Sequence, residues 1–146
     1  MSNPGPGGYC AILTYKDHEK IISGGDTDTT NNRMELLAAI SGLEAVKDTQ
    51  NSEIDLVTDS KYVVDGISKG WAESWRKNDW RKSDRNPALN PDLWERLLNA
   101  VGRLNNNVNF IWIKGHNGHE YNERCDEIAR NTAIEYKNKI INSQED

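Results

Sequence analysis

Three carboxylates in this 146-residue chain sit where side-chain oxygens could act on a charged substrate: Glu35, Asp59 and Asp126. Asp59 follows Ile54-Asp55-Leu56-Val57-Thr58, which reads as a short buried strand, and precedes Ser60, a suitable N-cap for the next helix. Ligands of α/β sheets bind beyond the carboxyl ends of strands, so Asp59 either opens a turn or marks a site. Glu35 interrupts the apolar run from Met34 to Ile40 in the first turn of a helix. It has the spacing of a capping box with Asn32, and equally the character of a metal ligand. Asp126 falls in the first turn of the last helix, beside the apolar positions Cys125, Ile128, Ala129, Ala133 and Tyr136. Carboxylates that converge repel one another unless divalent cations neutralise them. Mg²⁺ prefers carboxylate and water oxygens, and two such ions about 4 Å apart can clamp both oxygens of an in-line phosphoryl displacement. Spacing alone does not establish that the three meet. A zinc site from His116, His119 and Cys125 fits no usual finger spacing.

The elements that must position these groups follow from periodicity and turn chemistry. Ser2 to Gly8 reads as a Gly/Pro loop, and Tyr9 to Tyr15 as a strand. Lys16-Asp17-His18 turns the chain into a second strand from Glu19 to Ser23, continued as a polar edge from Gly24 to Asp28. Thr29-Thr30-Asn31-Asn32 supplies helix-capping residues, and a helix is expected from Arg33 to Val46 with Leu36, Ile40, Leu43 and Val46 on its apolar face. A helix from Ser60 to Lys69 follows the strand that ends at Asp59. Pro91 suits the first turn of a helix that carries Leu93, Trp94, Leu97, Leu98, Val101 and Leu104. Val108 to Ile113 is the last strand. Lys114 to Glu120 is a two-glycine loop, Asn122 can cap the final helix, and residues 137–146 form a polar tail expected to fray.

Between these lies Trp71 to Arg85, which holds three of the five tryptophans and five Lys/Arg against three Asp/Glu. Its tryptophans can be core at helical spacing. Arg and Lys interleaved with aromatics is also the composition of a nucleic-acid-binding face. Asn86-Pro87 ends this helical stretch. The chain as a whole carries a net charge of −5, so only a local patch can attract nucleic acid. No apolar run approaches the roughly 20 residues of a membrane span, and the start has neither the basic nor the apolar region of a signal peptide. Cytoplasmic location, no membrane partner and a single domain over 1–146 are the expectations. Cys10 and Cys125 fit buried free thiols in that compartment.

Five runs together carry a resemblance. They are Asn3-Pro4-Gly5-Pro6-Gly7-Gly8-Tyr9, Thr29 to Glu35, Thr58 to Val63, Lys114 to His119, and Asn122 to Ala129. In this order they make the chain similar, over nearly its whole length, to bacterial-type ribonuclease H of type 1. The resemblance implies an α/β fold, with a mixed sheet flanked by helices, and endonucleolytic hydrolysis of the RNA strand of RNA–DNA hybrids by a monomer. The products would carry 5′-phosphates. It assigns Glu35, Asp59 and Asp126 to binding Mg²⁺, with Mn²⁺ as substitute, and His116 to proton transfer or product release. Asn3, Asn31 and Asn32 match positions in the hybrid's minor groove, where 2′-hydroxyls distinguish RNA from DNA. Asn3 and Thr30 match a DNA-phosphate pocket in which a common basic residue is here Asp28. Trp71, Trp75, Arg76, Lys77, Trp80 and Arg81 match a basic protrusion that grips the DNA backbone, with Asn78 and Asp79 less basic than usual.

One departure stands at the start. The family's first strand, central in its five-stranded sheet and ending in Asp-Gly with a fourth carboxylate, has no counterpart before Met1-Ser2. Four strands are therefore expected, with two inner edges unpaired. The departure is consistent with an internal methionine taken as the start, with a short form of altered catalysis, or with a hybrid-binding module that does not cut.

Overall fold

The computed structural model describes residues 4–47, 53–115 and 118–144. In chain order the elements are β1 (Gly5–Tyr15), β2 (His18–Thr29), α1 (Asn31–Glu44), β3 (Ile54–Thr58), α2 (Lys61–Ser68), α3 (Trp71–Lys77), α4 (Pro91–Arg103), β4 (Val108–Trp112) and α5 (Glu120–Gln144). β1 pairs with β2 antiparallel, and β3 with β4 parallel. The fold is thus α/β with both strand senses. Among the described residues no strand pairs with the second edge of β1 or of β3. The chain divides into two compact units, Met1–Ala45 with Lys114–Asp146, and Val46–Ile113.

The first unit is built on the β1–β2 hairpin. Its ladder runs from Tyr15↔His18 to Gly8↔Gly25 and on to Gly5↔Thr29, with an irregularity between Gly5 and Gly7. Gly5 to Gly8, expected as loop, are strand. Their glycines serve a close approach rather than a turn: a Cβ at Gly8 would collide with the Ala129 carbonyl oxygen of α5. α1 starts two residues earlier than expected. Thr30 is its N-cap, in extended conformation, and Thr30 Oγ1 accepts from the Arg33 N–H at 3.2 Å. Asn32 is already helical, so the Asn32–Glu35 capping box does not cap this helix. α1 buries Met34, Leu36, Ala39, Ile40 and Leu43; Val46 lies beyond its end.

α5 begins at Glu120, so Asn122 is inside the helix rather than its cap. The Asn122 N–H donates to His119 Nδ1 at 3.4 Å. The helix continues past Lys137 to Gln144, where a frayed tail was expected. That stretch contains no Gly or Pro to stop it, and the Lys139 ammonium sits 4.3 Å over the Tyr136 ring.

In the second unit, β3 and β4 run in register from Ile54↔Val108 to Thr58↔Trp112. β3 is not the buried strand its sequence suggests: Val57 is 43% exposed, since among the described residues β4 alone pairs with it. Ser60 caps α2 as expected, its Oγ accepting from the Val63 N–H at 3.2 Å. α3 ends at Lys77 instead of running on to Arg85. Asp79 and Trp80 adopt left-handed backbone, with φ of 54° and 61°, which no right-handed helix can absorb. The chain then folds back through an Arg81↔Pro87 bridge.

Pro91 opens α4 as expected. α4 presents Leu93, Trp94, Leu97, Ala100 and its C-cap Leu104 to a core that includes Val63, Ala72 and Ala88. Trp94 is fully buried, and its Nε1 donates to the Tyr62 hydroxyl at 3.0 Å. Burying a side chain of this size contributes about 3 kcal/mol, and the partnered N–H avoids an orphaned donor. Gly66 of α2 gives the Trp94 ring its room, since a Cβ there would lie 2.7 Å from Trp94 Cζ2.

Candidate active site

The first unit supplies Glu35 and Asp126, both half-buried. Because α1 and α5 begin earlier than their sequences suggest, both lie in a second helical turn rather than a first. Thr30 holds the start of α1 through its hydroxyl, and Asn31 and Asn32 are exposed on the helix's first turn. Asn3 and His116 lie outside the described residues.

The second unit supplies Asp59, half-buried and one residue beyond β3. Its backbone is held by its neighbours. Trp112 Nε1 donates to the Asp59 carbonyl oxygen at 3.1 Å. Thr58 Oγ1 accepts from the Ser60 N–H at 3.1 Å, and the Ile113 N–H donates to the Thr58 carbonyl at 3.0 Å. The Lys61 ammonium stands 5.0 Å over the Trp112 ring. Strand end, helix cap and indole thus fix the turn that carries the carboxylate. Neither Trp112 nor Lys61 was singled out by sequence reasoning; the link to Asp59 depends on strand pairing, although a tryptophan closing a strand was visible.

Carboxylate donors suit a hard divalent cation. Among the described residues, no group of three or more His, Cys, Asp or Glu side chains is gathered closely enough to hold a metal ion. The donor chemistry fits the expected ion, while the described geometry assembles no such group.

The tryptophan-rich segment divides its labour. Trp71 and Trp75 stack at 6.4 Å, and Trp75 meets buried Trp94 edge-on at 6.1 Å. Trp75 therefore belongs in part to the core, and Trp71, 42% exposed, to the surface. Arg76 Nη2 pairs with Glu73 Oε1 at 2.6 Å, and Arg81 Nη1 donates to the Arg85 carbonyl at 3.1 Å. Lys77 is exposed and Trp80 half-buried. A groove of about 430 Å³ opens here between Trp71, Trp75, Arg81, Lys82 and Arg85. Planar rings beside cations suit stacked bases and phosphates.

The structure also brings Cys10 of β1 and Cys125 of α5 together, their thiols hydrogen-bonded. Burial, then the neighbouring Cys10 and Asp126, push the Cys125 thiol up to about 12. Burial raises Cys10 as well.

Comparison with known proteins adds three findings. Residues 1–134 match the RNase H family. A ribonuclease H of Desulforamulus reducens is 58% identical over 127 residues, which cover 87% of this chain and 77% of that protein. One of Proteus mirabilis is 56% identical over 133 residues, 91% of this chain and 80% of that protein. Among solved structures, LC9-RNase H1, described as a type 1 RNase H with the type 2 active-site motif, superposes with a TM-score of 0.67 at 25% identity, over 93% of this chain and 75% of its own. The N-terminal RNase H domain of Mycobacterium tuberculosis rv2228c matches with a TM-score of 0.67 at 22% identity, over 96% and 91%.

Proposed function

The chain belongs to the ribonuclease H family and is a ribonuclease H enzyme, and on that premise we propose that it cuts the RNA strand of RNA–DNA hybrids internally, leaving 5′-phosphates. The observation that carries this reading is the identity above 50% to ribonucleases H over most of both chains. The fold of LC11-RNase H1, solved with an RNA/DNA hybrid, is shared with a TM-score of 0.66 at 22% identity, over 92% of this chain and 91% of that one. Residues 1–146 act as one domain, as a monomer, in the cytoplasm.

Each residue then has a part. Glu35, Asp59 and Asp126 are the acidic groups at the scissile phosphate. Two divalent ions held by them, Mg²⁺ or Mn²⁺, would when bound neutralise the charge that develops on the phosphodiester. His116 moves a proton or helps product leave. Asn3, Asn31 and Asn32 read the minor groove, where the 2′-hydroxyl marks the RNA strand. Thr30 and Asn3 hold a DNA phosphate. Trp71, Trp75, Trp80, Arg76, Lys77 and Arg81 grip the DNA strand through stacking and charge.

An end-labelled hybrid incubated with the chain in Mg²⁺ and then Mn²⁺ tests this, with Asp59→Asn purified in parallel. Cleavage that disappears in the variant, while hybrid binding persists, supports the reading. A wild-type chain that binds hybrid without cutting it would make it a binding module instead. Cutting of a circular or end-blocked hybrid separates the endonuclease from an exonuclease.

A further inference from the structure

β1 and α5 meet in a matched register. Gly8, Cys10 and Ile12 share one face of β1, because strand side chains alternate. Cys125, Ala129 and Ala133 share one stripe of α5 at four-residue spacing. Gly8 lies against Ala129 and Ala133. Two residues along the strand, about 6.6 Å, Cys10 meets Cys125. Four residues back along the helix is about 6 Å, so the two rises agree. The Ile12 N–H is also hydrogen-bonded to the Cys125 sulfur, which holds that sulfur against β1.

This packing is close because its residues are small. A Cβ at Gly8 would already strike the helix backbone, so β1 and α5 approach as nearly as backbones can. A disulfide needs Cα atoms about 4.4–6.8 Å apart, a separation that helix-on-strand contacts between larger residues do not reach. The two thiols differ in access: Cys10 is 6% exposed, and Cys125 is half-buried.

We propose that Cys10 and Cys125 form a reversible redox-modification site, closed to a disulfide by low-molecular-weight disulfides and reopened by thiols. The half-buried Cys125 sulfur attacks one sulfur of the small disulfide, forms a mixed disulfide and expels one small thiolate, which takes up the Cys125 proton; burial makes this first step slow. Cys10 then attacks the Cys125 sulfur, forms the Cys10–Cys125 bond and expels the second. Two electrons pass from the protein to the small disulfide, and the two protein thiol protons end on the two small thiols. The closed bond ties the hairpin to the helix that carries Asp126. In a reducing compartment such a bond is transient. The site is independent of the nuclease reading.

The test uses the whole chain, incubated with excess oxidised glutathione, digested without reduction and mapped by mass. The expected result is a Cys10 peptide joined to the Cys125 peptide, two hydrogens lighter than their sum, lost on adding dithiothreitol. The oxidised protein should also melt higher than the reduced one, since the bond closes a loop over most of the chain. In Cys10→Ser the reaction should halt at glutathione on Cys125. Wild-type protein that retains both thiols, or stops at the Cys125 mixed disulfide under conditions that oxidise the unfolded chain completely, overturns the proposal.

Discussion

The indole Nε1 of Trp112, at the end of β4, donates to the main-chain oxygen of Asp59, just beyond the parallel-paired β3. One hydrogen bond thereby ties the carboxylate-bearing turn to the neighbouring strand. Trp112→Phe keeps an aromatic ring near the Lys61 ammonium and removes the donor together with part of the ring surface. A hydrogen bond of this kind contributes about 1 kcal/mol, so stability should drop by that order. If Trp112 positions Asp59, kcat on a hybrid should fall several-fold with KM nearly unchanged. Steady-state kinetics checks it, and a change in KM alone would remove Trp112 from that role.

Gly66→Ala inverts the usual effect of its substitution. In an open helix, alanine in place of glycine stabilises by about 1 kcal/mol. Here the new methyl meets the ring of fully buried Trp94, and overpacking costs about 1–3 kcal/mol. Urea unfolding should show a lower midpoint at unchanged slope.

The charges of the tryptophan-rich segment are not equivalent. Glu73 already pairs with Arg76 at 2.6 Å, so Arg76 is in part neutralised as a phosphate contact, and Arg76→Ala removes one positive charge while leaving Glu73 uncompensated. Lys77→Ala should lower the slope of log affinity against log salt by about one. Replacing Arg76, Lys77 and Arg81 together should weaken hybrid binding across sequences and flatten the slope further. Binding isotherms at several salt concentrations measure it; an unchanged slope would take this segment off the hybrid surface.

Glu19 of β2 accepts two hydrogen bonds from the Arg124 guanidinium, at 3.0 and 2.9 Å. Hydrogen bonding to Arg124 holds the Glu19 carboxyl below its ordinary value. A depressed carboxyl stabilises the fold at pH above its unfolded value, about 4.3, and loses that contribution as pH falls through the folded value. Glu19→Gln should therefore melt below the wild type at neutral pH. The gap should close as the pH drops from about 4.3 downward, and melting curves over that range test it.

What was legible in the sequence is what local chemistry decides. Ser60 as a cap, Pro91 in a first turn, and the Leu36–Ile40–Leu43 stripe all depend on neighbours within a few residues. The expectations that failed depend on distant partners. Gly5 to Gly8 look like a loop until α5, more than a hundred residues later, needs them bare. α3 stops at Lys77 because Asp79 and Trp80 turn left-handed, which composition does not signal. For the site, the acidic residue types and their places near element ends were readable. Their helical turn was not, because Thr30 and Glu120 begin their helices earlier than the asparagines suggest. The contacts Trp112–Asp59 and Cys10–Cys125 each join segments far apart in sequence, and no periodicity encodes them.

The seating of Gly8 against Ala129 makes β1 and α5 parts of one packing unit, yet a ribosome makes the one more than a hundred residues before the other. The hairpin emerges with the glycine face that meets α5 bare, and that face stays so until α5 clears the exit tunnel. Val46–Ile113, in contrast, is delivered as one uninterrupted stretch that forms a compact unit of its own. The β1–α5 contact therefore forms only after both the hairpin and that middle stretch have emerged, and until then the β1 face that seats α5 stays uncovered.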